Sequence, residues 1–330
     1  MKVLILGCGS IGIRHLQALE KINDFEIAAY RTQKGKKEVP KNLLRKLRVF
    51  FDEKEAFAWN PHFMIVSNPT SLHLEYLLKA IDHNIDALIE KPVANSYKQI
   101  KQVEDKIRRR KNIVCVGFNL RFHPIIRQIR QILSAGKYGK PLKADLFVGQ
   151  YLPNWHPYED FRESYASKKE MGGGALRTLC HEIDLGQHWF GDYDEVFSRV
   201  SKISDLDIDV DDNADILAEM KSGTLVNITM DYLNPVLERR GRILFEKGLL
   251  EYNFSNMDLT FTHYATKERE LLLKIDNYDY NAQYVCQMEQ FIAKSSGEIC
   301  TLEEGVNVTR IIDECEKSSR TGRALHVQTG

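Results

Sequence analysis

Two side chains set the chemical question. Lys91 stands in Glu90-Lys91-Pro92, directly after the apolar run Ala87-Leu88-Ile89. His181 stands in Gly172-Gly173-Gly174-Ala175-Leu176-Arg177-Thr178-Leu179-Cys180-His181-Glu182-Ile183-Asp184. An ammonium at the carboxyl end of a parallel strand, where open α/β sheets place their ligands, can polarise a hydroxyl or carbonyl oxygen and stabilise charge developing on it. An imidazole titrates near neutral pH and suits proton transfer when an acid shares its helix face. At helical spacing Arg177, Thr178, His181, Asp184 and His188 share one face, so Asp184 and Thr178 are the candidates to orient His181. The expectation is that the Lys91 amine and the His181 imidazole act on one substrate oxygen. The blander alternatives are a surface lysine after a strand and a histidine satisfying a buried carbonyl. His181 and His188 lie two turns apart, which argues against zinc, and no metal is expected.

The elements that would position these groups begin at the N-terminus. Lys2-Val3-Leu4-Ile5-Leu6 reads as a strand buried on both faces, Gly7, Gly9 and Gly12 follow at G-x-G-x-x-G spacing, and a helix comes next. Gly7 permits the tight turn, Gly9 lets the backbone approach a pyrophosphate, and Gly12 lets helix and strand pack closely. Ser10 and Ile11 open the helix whose N–H groups would meet the anion. The second strand closes on Tyr30, where an acid would select the unphosphorylated dinucleotide, and Arg31 and Thr32 follow. Arginine can pair with a 2′-phosphate, so NADP is favoured over NAD. Strands near 47–50, 63–67, 87–90 and 113–117 alternate with helices, one of them near 72–83 and capped by Thr70 or Ser71, another near 96–110. This pitch predicts a doubly wound parallel sheet with right-handed crossovers over residues 1–120.

Beyond Lys140-Pro141 the pattern turns to successive short strands, interrupted by a helix at about 174–190 and closed by helices at about 281–296 and 302–318. The fold class is therefore α/β: an N-terminal Rossmann domain plus a C-terminal α+β domain over 121–330 with an open, mostly antiparallel sheet, its last helices open to packing back on the first domain. Arg121 and His123 stand at the junction. The loop from Gln150 to Tyr165 carries Tyr151, Trp155, Tyr158, Arg162 and Tyr165; its aromatic faces suit sugar or base rings, and Arg162 suits a carboxylate or phosphate.

Composition narrows the class. The chain has 330 residues, 43% hydrophobic and 28% charged, with formal net charge +0. Two domains are the prior at that length, and the balanced charge argues against nucleic acid or a membrane surface as partner. No apolar run approaches the ~20 residues of a membrane span. The opening residues hold the glycine loop rather than a signal peptide, and the six cysteines form no C-x-x-C pair, so reduced thiols and a cytoplasmic location are expected.

The glycine loop with Arg14-His15, the segment Asn68-Pro69-Thr70-Ser71-Leu72-His73, Glu90-Lys91-Pro92 and the triple-glycine helix with His181 together resemble the Gfo/Idh/MocA family, in order and over almost the whole chain. The resemblance implies an NAD(P)-dependent oxidoreductase acting on sugars, inositols or nucleotide sugars, with Lys91 and His181 as the catalytic lysine and histidine. It adds Asn68, Pro69, Thr70, His73, Glu90 and Lys91 to the cofactor contacts, and Arg121, His123 and Arg177 to the substrate residues. It also implies homo-oligomers, dimers or tetramers, through the open sheet. Where the family commonly has an aspartate one turn before the histidine, this chain has Thr178. That departure keeps in view a nucleotide-binding sensor whose chemistry has lapsed, and the family's range adds an NAD-dependent glycoside hydrolase of the same fold. The Tyr151–Tyr165 loop is similar to members found with bacterial surface-polysaccharide genes.

Overall fold

Val3 to Leu6 are fully buried, and a strand covered on both faces belongs inside a parallel sheet. The computed structural model describes residues 1–22, 25–32, 47–155, 160–295 and 297–327. It divides into two compact units, Met1–Phe122 with Asp279–Val306, and His123–Tyr278 with Asn307–Gly330. The first holds strands Lys2–Leu6 (β1), Glu26–Tyr30 (β2), Leu47–Phe50 (β3), Phe63–Val66 (β4), Asp86–Ile89 (β5) and Val114–Val116 (β6). The sheet runs Cys300–Thr301, β6, β5, β4, β1, β2, β3, parallel throughout except for Cys300–Thr301. The order reverses beside β1, and there the chain turns into the helix Ser10–Ile22. Leu16 and Leu19 of that helix pack with Val3, Ile5, Ile65, Met288 and Phe291, so the helix Ala282–Ile292 closes this face of the sheet.

The second unit holds Pro141–Gly149 (β7), Tyr193–Ser201 (β8), Asn213–Met220 (β9), Leu225–Asp231 (β10), Glu238–Phe245 (β11), Gly248–Asn253 (β12), Asp258–His263 (β13) and Arg269–Lys274 (β14). Its sheet runs β14-β13-β12-β11-β7-β10-β9-β8 and ends on Leu325–His326, antiparallel except for the β7–β10 pair. Alternation explains the single core face: Ala214, Ile216, Ala218 and Met220 of β9 are buried while the residues between them are not. The opposite face is an open groove bearing Asp145, Asp215, Arg240 and Arg242 together with Phe197 and Leu217, which are 45% and 51% exposed.

Three local expectations need correction. The helix expected at 96–110 is two short ones, Tyr97–Lys101 and Glu104–Arg108, because β-branched Val103 leaves helical geometry at φ −121°, ψ 13°. Neither Thr70 nor Ser71 caps a helix; Thr70–Leu72 forms a 3-10 turn leading into His73–Asp82, without a side-chain cap bond. The helix around His181 breaks at Leu179 and Cys180 into Ala175–Thr178 and His181–Phe190, so Arg177 and Thr178 do not continue the face of His181, Asp184 and His188.

Candidate functional site

In the first unit the turn after β1 has the geometry its glycines require. Gly7 has φ +95°, and a Cβ there would lie 2.8 Å from the Ser67 carbonyl oxygen. A Cβ on Gly12 would strike the Gly7 carbonyl. The Ser67 hydroxyl donates to that same carbonyl at 2.8 Å, tying the end of β4 to the turn. Gly9 differs: a Cβ there would meet nothing within 4 Å. The first turn of the following helix carries no acid, so no carboxylate of that turn opposes an anion at its N-terminus. Cys8 is buried in this turn, and burial raises its thiol pKa, Arg31 opposing. Open space at Gly9, half-buried Ser10 and Ile11, and an acid-free helix start fit a dinucleotide pyrophosphate. At the far end Tyr30 closes β2 beside Tyr76, while Arg31 is partly exposed and Thr32 exposed.

The carboxyl end of β5 carries Lys91, the one residue of Glu90–Ala94 that is not buried. The Lys91–Pro92 bond is cis. Glu90 is 8% exposed, and its Oε1 accepts from His15 Nε2 at 2.8 Å. His15 is fully buried and meets Tyr284 edge-on at 5.4 Å. Gly117, past β6, leaves the room that the Glu90 carboxylate fills; a Cβ there would be 2.8 Å from Oε1. His73 is 1% exposed, with Nδ1 2.7 Å from the Pro92 carbonyl oxygen and Nε2 2.8 Å from that of Asn68. Burial pushes the His73 imidazole below its ordinary pKa, against the two carbonyls and Glu90, which favour the cation. Glu90 and His73, expected against the cofactor, thus engage protein partners.

In the second unit the triple glycine is clasped by its own chain. A Cβ on Gly173 would lie 2.5 Å from the carbonyl oxygens of Tyr165 and Ala166, and one on Gly174 would strike Asp211. Asp211 Oδ2 accepts from the Leu176 N–H at 2.8 Å and caps the short helix. Burial raises the Asp211 carboxyl, opposed by that N–H. Arg177 pairs with Glu316 and, at 3.7 Å, with Asp313. Thr178 lies beside the buried phenol of Tyr232. His181 opens the next helix half-buried; Glu182 beside it is fully buried and accepts from Arg239 Nε at 2.6 Å. Asp184, one turn on, is 1% exposed. His188 Nδ1 meets Arg130 at 3.1 Å.

The remaining expected contacts are dispersed. Arg121 is 1% exposed and reaches Glu304 at 3.2 Å. His123 is fully buried, stacks on Phe254 at 4.1 Å, and its Nδ1 accepts from the Ile125 N–H. Burial, aided by Arg239, pushes its pKa down to about 3. Tyr151 is exposed, Trp155 donates to the Gln150 carbonyl, Arg162 is exposed and paired with Asp160, and Tyr165 is half-buried. Tyr158 lies outside the described residues. Reading for chemistry passed over Asp211 and the Glu182–Arg239 pair; the acidic run Asp209-Val210-Asp211-Asp212 was the available signal for the first.

Residues 1–118 match an oxidoreductase family with an NAD-binding Rossmann fold, and residues 126–251 match the GFO/IDH/MocA C-terminal domain. YteT, an oxidoreductase of Bacillus subtilis, is 28% identical over 45% of this chain, a match spanning 34% of that protein. D-xylose 1-dehydrogenase (NADP(+)) 2 of Haloferax volcanii is 23% identical over 78% of each chain. A levoglucosan dehydrogenase in complex with NADH superposes with TM-score 0.86 at 18% identity, covering 100% of both chains, a likeness that establishes the fold.

Proposed function

The chain belongs to the GFO/IDH/MocA family of oxidoreductases, and from that premise we propose that it is an NAD(P)-dependent dehydrogenase or reductase acting on a carbinol carbon of a sugar, sugar acid or nucleotide sugar. The observation carrying this reading is the open, acid-free turn at Gly9 in the same unit as an accessible lysine at the end of β5. The bound nicotinamide supplies the hydride acceptor or donor. Lys91 donates a hydrogen bond to the substrate oxygen and stabilises its charge, and His181 carries the hydroxyl proton. Asp184 is the better candidate to orient His181, since Thr178 lies beyond the helix break beside Tyr232. The Tyr151–Tyr165 loop contributes to the sugar site, and bacterial surface-polysaccharide metabolism is the setting we favour. A cytoplasmic homo-oligomer joined through the outer face of the second unit's sheet completes the proposal; sedimentation equilibrium giving a monomer would refute that part.

For the cofactor, Tyr30-Arg31-Thr32 in place of an acid supports NADP over NAD. A ligand at ~100 times its Kd adds ~2.7 kcal/mol, so NADP should raise Tm more than NAD at equal concentration. A larger rise with NAD overturns the preference. The activity is tested by following reduced-nicotinamide absorbance with D-xylose, myo-inositol, levoglucosan and UDP-sugars, alongside mass spectrometry of ligands retained through purification. Tight NADPH binding with no turnover of any of these would favour the lapsed sensor that Thr178 suggests, and sugar release without net cofactor change the glycoside hydrolase.

A further inference from the structure

Glu90 is a buried acid directly after β5. Burying a carboxylate is costly unless it is paired, and here a buried imidazole reaches it at 2.8 Å while Gly117 makes room for it. On the other side of Lys91, the Pro92 carbonyl is held by His73 at 2.7 Å, and the same imidazole reaches the Asn68 carbonyl at the end of β4. The two histidines therefore bracket the residue between them, and of Glu90–Ala94 only Lys91 is left unburied. His15 sits in the helix that begins at Ser10 in the glycine turn. A side chain with four rotatable bonds delivers its amine to a fixed point only if the backbone it grows from is fixed first.

We propose that Glu90 is a positioning residue for the Lys91 amine, held by His15, and that His73 is its counterpart through the Pro92 carbonyl. The proposal rests on the reading of Lys91 as the amine that meets the substrate oxygen. The helix that begins at the pyrophosphate turn thereby also registers the lysine, so that amine and cofactor share one support.

The first readout needs no substrate. Lysines are labelled competitively with acetic anhydride at pH 8, and peptide mass spectrometry gives the rate at Lys91 relative to exposed Lys98. Removing the neighbouring negative charge lowers the pKa of the amine and so raises its unprotonated, reactive fraction. Glu90→Gln should therefore raise the Lys91/Lys98 ratio about three- to tenfold; His15→Phe and His73→Gln remove no negative charge and should raise it less, by releasing the backbone on either side of Lys91 and exposing the amine. Cofactor Kd by NADPH fluorescence should stay within about twofold while kcat falls. Lower melting temperatures with an unchanged ratio would leave a structural role only and overturn the proposal. If Glu90→Gln does not fold, Gly117→Ala, which presses on the same carboxylate from the β6 side, is read by the same ratio. Lys91→Ala separates the two ideas: undiminished turnover in it sinks the reading of Lys91, whereas its inactivation beside an unchanged ratio in the other variants sinks the positioning alone.

Discussion

The two units each carry a cluster of glycines running into a helix, and the clusters are built for different reasons. At Gly9 an added side chain would meet nothing within 4 Å, whereas at Gly173 it would lie 2.5 Å from two carbonyl oxygens of the same chain. The first glycine leaves open space of the kind a pyrophosphate needs. The second lets the segment at Tyr165–Ala166 and the Asp211 cap close on the start of the helix Ala175–Thr178. Glycine spacing identifies a close approach; only the neighbours reveal whether ligand or backbone makes it.

Each side of that contrast can be broken separately. The largest effect is expected at the two side chains proposed for the chemistry, one in each unit: Lys91→Ala or His181→Ala should each lower kcat by ~10²–10⁴-fold with little change in Tm, and unchanged turnover in both would remove the mechanism. Gly9→Val should fold normally but weaken NADPH binding about a hundredfold, roughly 2.7 kcal/mol, measured by fluorescence titration; a stability loss without an affinity loss would reverse the assignment. Gly173→Ala should do the opposite, costing about 1–3 kcal/mol of stability through backbone displacement in denaturant unfolding while cofactor affinity holds.

The histidines extend the comparison. His181 is half-buried, whereas His123 is buried and held neutral, its pKa pushed down to about 3. The unfolded chain titrates at the ordinary value near 6.5, so between those pH values it binds a proton that the folded unit refuses, and stability falls as pH drops. From pH 7 to 5 that loss is about 2 kcal/mol. In urea unfolding, His123→Asn should lack this part of the acid sensitivity, and identical pH dependence in both proteins would contradict it.

Much of this was legible because it is local. The alternation in β9, the apolar run of β1 and the glycine spacing each follow from periodicity over a few residues. What sequence spacing misjudged was continuity: Arg177 and Thr178 fit the periodicity of His181, but Leu179 at φ −95°, ψ 16° breaks the helix between them. Polar side chains with distant partners were equally opaque. Arg121 looked like a substrate residue and reaches Glu304, 183 positions on; Arg177 reaches Glu316, 139 positions on.

The sequence alone determined the layering, two sheets of different kind, and the residue types available for hydride and proton chemistry, because hydrophobic period and glycine placement act over one or two turns of chain. Tertiary structure decided which polar groups are buried. A buried charge must find its partner wherever the fold brings one, and that search removed His73 and Glu90 from solvent, while Arg177 and Lys91 stay half-buried.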